Sequence, residues 1–140
     1  MKDLIKKILK EETEEVLKIP GLQYFPDGVE GLKNFIQKKN IKRWSLDDSL
    51  NLYKYKGNLT WLEGLVSISG YLVLEGTKIK SLDNLQSVGL YLNLEGTKIK
   101  SFGNLQSVYG NLYLNEYLTE KYTDEEIRTM ISVGGIIYSP

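Results

Sequence analysis

The chain has 140 residues, 41% of them apolar and 26% charged, which is enough for one buried core without covalent staples. Lys plus Arg and Asp plus Glu are equal at 18 each, so no global field selects nucleic acid or an anionic membrane surface. Cysteine and histidine are both absent, which removes disulfides, thiolate nucleophiles, imidazole bases and nearly all zinc sites together. No apolar run approaches the length of a membrane span, and the opening MKDLIKKILKEE has no continuous signal-peptide core. A cytoplasmic protein with no cofactor and no metal is the expectation.

Lys2 to Lys18 reads as an amphipathic helix, with Leu4, Ile5, Ile8, Leu9, Val16 and Leu17 on one broad face. Its lysines (Lys2, Lys6, Lys7, Lys10) come first and its glutamates (Glu11, Glu12, Glu14, Glu15) second, an order that opposes the helix dipole. Such a helix needs something to lean on. It suits a cover over the rest of the chain, or a segment that binds a partner or a second copy. Pro20-Gly21 ends it, and a connector runs to Pro26. Asp27 reads as the N-cap of a second helix to about Lys39, with Val29, Leu32, Phe35 and Ile36 as its apolar stripe. Asn40 suits a left-handed stop. Ile41 to Leu46 reads as a strand, and Asp47-Asp48 as the turn that follows it.

Ser49 to Ile68 is a degenerate version of what comes next. Tyr71 to Val88 reads YLVLEGTKIKSLDNLQSV, and Tyr91 to Val108 reads YLNLEGTKIKSFGNLQSV, a tandem copy offset by twenty residues. In each copy the leucine pair two apart (Leu72 and Leu74, Leu92 and Leu94) is strand alternation. The later spacing of three (Ile79, Leu82, Leu85, Val88) suits a tight return path. Leu50 and Leu52 match Leu72 and Leu74 at an offset of twenty-two, so two extra residues should loop out around Tyr53 to Gly57. Asn111 to Asn115 (NLYLN) starts a further turn that is then interrupted. Thr123 with Glu126 is a capping box for a helix over Asp124 to Ser132, with Ile127, Met130 and Ile131 buried. Val133 to Tyr138 echoes Val108 to Tyr113 and reads as a closing strand.

The phrase L-x-L-x-x-T-x-I-x-S-L-x-N-L-x-S-V resembles a short leucine-rich repeat, with Thr77 and Thr97 where that repeat usually has Asn. The N-L-Q-S-V-x-G-x-L-x-L phrasing looks like the turns of receptor L-domains. The layout of lid, few turns, helix and closing strand is similar to small repeat proteins encoded by bacteriophages. These resemblances imply an α/β repeat solenoid, with a leucine-rich-repeat-like parallel sheet and helical caps at both ends. They imply no particular activity. The segments would be an N-terminal helix over 1–19, a connector and capping helix over 20–48, repeat turns over 49–118, and a capping helix with closing strand over 119–140.

Few residues could carry catalysis. Asp47-Asp48 and Asp124-Glu125-Glu126 are explained as a turn and a helix N-terminus, and the glycine pairs fall at corners. The expected surface is more telling. With the leucines inward, Tyr71, Val73 and Glu75 point outward, as do Tyr91, Asn93 and Glu95, then Asn111, Tyr113 and Asn115, with Asn51 and Tyr53 on the first turn. Tyr53, Tyr71, Val73, Tyr91, Asn93, Asn111 and Tyr113 therefore form a candidate partner-binding face, since tyrosine joins contact area to a polar handle. The same tyrosines could equally serve to support one another along the sheet. Such a face covers on the order of 250 Å², whereas a stable interface needs about 800 Å² per partner. A protein partner must then also touch rims or helices.

Lys78, Lys80, Lys98 and Lys100 form a second ladder around the bend. It is a candidate anion-binding edge, unless Glu75 and Glu95 neutralise it. The expectation is a non-enzymatic, phage-encoded protein-binding module acting in the host cytoplasm on a host or viral protein. Two alternatives stand beside it: a protein sequestering an anionic metabolite or nucleotide, and a structural component of a viral particle assembled through the N-terminal helix.

Overall fold

The computed structural model describes residues 15–140. Most of the helix expected over Lys2 to Lys18 lies outside the described residues, and its end is corrected. Leu17–Ile19 form a strand, β1, in parallel register with Trp44–Leu46, β2. Pro20 disfavours helical torsions at Ile19, and β2 supplies the ladder for an extended segment instead.

Helix α1 spans Val29–Lys38. Its N-cap is Gly28 at φ 60°, with no side-chain cap, so Asp27 does not play the expected part. A tight turn, Gly28 N–H to Phe25 C=O at 2.9 Å, places Asp27 before the helix and hands the positive φ to the residue that tolerates it. At the other end Asn40 adopts φ 52° as expected, and Ile41 N–H reaches back to Ile36 C=O. Leu32 and Ile36 enter the core, and Tyr55 donates to Glu30 at 2.8 Å, tying α1 to the first turn.

The sequence pattern predicts one strand per turn; the structure has two. Leu50–Asn51 (β3), Leu72–Val73 (β5), Leu92–Asn93 (β7), Leu112–Tyr113 (β9) and Ile137–Tyr138 (β11) form a five-stranded parallel sheet in chain order. Leu65–Ile68 (β4), Ser87–Val88 (β6), Ser107–Val108 (β8) and Ser132–Val133 (β10) join β1 and β2 in a six-stranded one. Register is strict: Leu72 pairs with Leu92 and Leu92 with Leu112, while Ser67, Ser87, Ser107 and Ser132 form one column. A parallel, repeat-like α/β arrangement follows directly from the twenty-residue period.

The corner between the two strands of a turn leaves no room for side chains. A Cβ on Gly89 would run into the Ser69 carbonyl oxygen, and one on Gly134 into that of Tyr109. The opposite bend needs positive φ at Gly76 and Gly96, and Lys54 adopts it at the matching place. Tyr55 N–H bonds Leu52 C=O just as Thr77 N–H bonds Leu74 C=O, so the offset of twenty-two persists to Tyr55. The two extra residues are therefore absorbed after Tyr55, ahead of a 3₁₀ helix at Thr60–Gly64, and not from Tyr53 onward.

Leu50, Leu52, Leu72, Leu74, Leu92, Leu94, Leu112 and Leu114 are at most 1% exposed, as inward alternation requires. Thr77 and Thr97 are buried, and each hydroxyl closes its own turn onto the carbonyl three residues back, at 2.7 Å. After β9 a helix not foreseen from the sequence, α2, spans Glu116–Lys121. Helix α3, Asp124–Met130, carries the expected capping box, with Glu126 N–H to Thr123 Oγ1 at 3.2 Å and Thr123 N–H to Glu126 Oε1 at 3.1 Å. It stops before Ser132, which belongs to β10. Ile127 and Ile131 are buried, but Met130 is 44% exposed and leaves the core list.

Candidate functional site

The outward face of the five-stranded sheet carries a continuous row of rings. Tyr71 and Tyr91 precede the paired Leu72 and Leu92, and their rings stack with centroids 4.9 Å apart and planes 9° apart. Tyr113 sits two positions further along its strand, opposite Asn93, and meets Tyr91 edge-on at 5.9 Å and 78°. Tyr138 pairs with Tyr113 in the backbone register and stacks on it at 4.8 Å. The row changes column between Tyr91 and Tyr113, a diagonal that aromatic side chains can span.

Not every expected face residue belongs to this row. The offset of twenty-two carries Tyr53 to the level of Glu75, away from the rings; it is 52% exposed, with Lys54 Nζ 5.3 Å from its ring centre. Tyr71, Tyr91 and Tyr113 are half-buried rather than substantially exposed, because each covers its neighbour. Val73 is 7% exposed and offers nothing to a partner. Asn93 is engaged at both ends: its Oδ1 accepts from Glu95 N–H at 2.9 Å and its Nδ2 donates to Glu75 at 3.0 Å. Asn111 accepts from Ile136 N–H at 2.9 Å and so fastens the last strand. Asn115, also expected outside, is buried; it accepts from Leu118 N–H at 2.8 Å as the N-cap of α2 and donates to Ile99 C=O at 2.7 Å. Tyr138 was missing from the expected face, although the echo of Leu112-Tyr113 in Ile137-Tyr138 held the signal.

What the row can offer follows from its geometry. Stacking occupies one ring face in each of the pairs Tyr71–Tyr91 and Tyr113–Tyr138, and an edge-on contact joins the pairs. Among the described residues the hydroxyls of Tyr71, Tyr91, Tyr113 and Tyr138 take no protein hydrogen-bond partner. Burial pushes the Tyr91 phenol above its ordinary range, and the phenols of Tyr71 and Tyr113 add to the shift. Tyr91 therefore stays a neutral donor and acceptor at physiological pH. Leu90 and Ile136, 52% and 55% exposed, lie at the corner beside the row and add apolar area to it.

The lysine edge is less coherent. Lys78, Lys80, Lys98 and Lys100 are all exposed, and none lies within ion-pairing distance of a carboxylate among the described residues. The expected neutralisation by Glu75 and Glu95 is therefore not made by direct pairs. Only Lys98 and Lys100 line the adjacent groove of about 610 Å³, which they share with Lys54, Glu75, Glu95 and Tyr117. Lys100 and Lys121 both lie over the Tyr117 ring, at 5.6 and 5.5 Å. Their ring, like α2, was not foreseen. With carboxylates along the same wall, the groove has no single sign.

Among the described residues no acidic group is gathered with others in a way that would hold a metal ion. No helix among them is long and apolar enough to cross a membrane. The chain matches no protein-family model, no curated protein and no solved structure.

Proposed function

We propose that the chain is a leucine-rich-repeat-like solenoid with helical caps, acting as a non-enzymatic protein-binding module through the tyrosine row. The observation that carries this reading is the row itself: two stacked tyrosine pairs joined edge-on across one change of column, with hydroxyls that take no protein partner among the described residues and Leu90 and Ile136 along the rim. Pre-stacked tyrosines lose little side-chain entropy when a partner arrives, which is why such residues serve as contact anchors. Rim and helix surfaces supply the area that the sheet face lacks. The layout that resembles phage-encoded repeat proteins points to a host or viral protein as partner, met in the host cytoplasm. Matched capture from a host lysate tests this, with the parent and with Tyr91→Ala/Tyr113→Ala as baits. A protein retained by the parent and lost by the variant supports it; equal retention by both overturns it.

A second reading has one observation in its favour. Lys78, Lys80 and Lys98 make no ion pair, ring contact or side-chain hydrogen bond among the described residues, as an edge awaiting an anionic metabolite or nucleotide would require. Glu75, Glu95 and Glu116 along the neighbouring groove weigh against it. Calorimetric titration with nucleotides and polyanions decides: heat lost in Lys78→Gln/Lys98→Gln supports sequestration, and no heat with any ligand rejects it. The third reading, particle assembly through the N-terminal helix, rests on residues outside the described part.

A further inference from the structure

Among the described residues the six-stranded sheet ends at β10. In the four preceding turns two carbonyls at this corner accept amides from the next turn. The acceptors are Leu46 and Asp48, Ile68 and Gly70, Val88 and Leu90, and Val108 and Gly110, at 2.8 to 3.1 Å. In the last turn the matching carbonyls are Val133 and Gly135. Both accept from one side chain: Arg128 Nη1 donates to Val133 at 2.9 Å and Nη2 to Gly135 at 2.8 Å. A single guanidinium reproduces both missing amides. Its planar fork presents parallel donors with fixed spacing, which an ammonium group cannot do.

The helix that carries Arg128 is anchored without it. Ile127 and Ile131 are buried, and the Thr123–Glu126 capping box fixes the N-terminus of α3. The guanidinium is thus free to serve the sheet edge. Unpaired edges accept strands from other molecules. At the far side of the same sheet the terminal strand among the described residues is β1, parallel to β10. A second copy offering β1 to β10 would continue the sheet in one direction, a heterologous contact that does not close on itself.

We infer that Arg128 is an edge stop: it occupies the two corner acceptors of the last turn and keeps a second copy from extending the six-stranded sheet. Sedimentation velocity over a range of concentrations tests this on the full chain, comparing the parent with Arg128→Ala and Arg128→Lys. The weight-average mass of Arg128→Ala should rise with concentration to at least about twice that of the parent, since a non-closing contact keeps adding copies. Arg128→Lys should associate likewise, because it keeps the charge but loses the fork. If Arg128→Ala sediments as the parent does, the inference is overturned. Association in the alanine variant alone would assign the effect to charge and overturn it too. Loss of cooperative melting in Arg128→Ala would make Arg128 an anchor of α3 and not an edge stop.

Discussion

Tyr71 lies flat on Tyr91, with planes 9° apart, and this contact decides how both residues can be read. It makes the tyrosines partly structural, because each ring shields the next. It also leaves their hydroxyls without a protein partner among the described residues. Support along the sheet and recognition of a partner are then two uses of one arrangement, and stability and binding measurements on the same variants can separate them.

Leu94→Ala should cost about 2–5 kcal/mol, since the residue is fully buried between neighbouring turns and its loss leaves a cavity. Urea denaturation measures this directly. An unchanged midpoint would contradict the register of the five-stranded sheet.

Tyr91→Ala removes one stacked and one edge-on ring contact, each contributing about 0.2–1 kcal/mol. Its stability cost should therefore stay below that of Leu94→Ala. Tyr91→Phe should leave stability unchanged, because the hydroxyl has no protein partner among the described residues. Against a captured partner, Tyr91→Ala should weaken binding by about 1 kcal/mol or more.

The pattern of leucines, the capping box and the left-handed Asn40 were legible because each is a local signal with one physical cause. The second sheet was legible only at β2, inside the strand expected over Ile41 to Leu46. Its strands β6, β8 and β10 are Ser-Val pairs, too short to show alternation, and only hydrogen bonds to neighbouring turns make them strands. The candidate face was legible in direction but not in cover: alternation places Val73 outward and cannot say that its neighbours bury it. Asn115 misled for a related reason. Counting in twos from Tyr113 sends it outward, but β9 stops at Tyr113 and the asparagine caps α2 instead.

Asn115 should be intolerant of change. Its amide group donates to Ile99 C=O and its oxygen caps Leu118 N–H, both in the interior. Asn115→Ala should cost about 1–3 kcal/mol for the buried groups left unpaired. Asn115→Asp should cost more, since it turns a carboxylate toward the Ile99 carbonyl that the amide now satisfies. Thermal melting of the two variants checks the order.

Stability should fall at alkaline pH. Tyr91 has its phenol pKa raised in the folded state, so the fold holds that proton more tightly than the unfolded chain does. The contribution is complete below the ordinary tyrosine pKa of about 10 and is lost as pH rises through the raised folded value. Denaturation at a series of alkaline pH values should show a shallower decline in Tyr91→Phe than in the parent. Equal slopes would remove Tyr91 from the account of alkaline unfolding.

The central claim is that recognition runs through the tyrosine row and not the lysine edge. Chemical labelling of tyrosines and lysines, in the free protein and in the complex with its captured partner, tests it most directly. The account predicts that Tyr91, Tyr113 and Tyr138 lose reactivity on binding while Lys78 and Lys98 label as before. Protection of the two lysines with the tyrosines unchanged would contradict it.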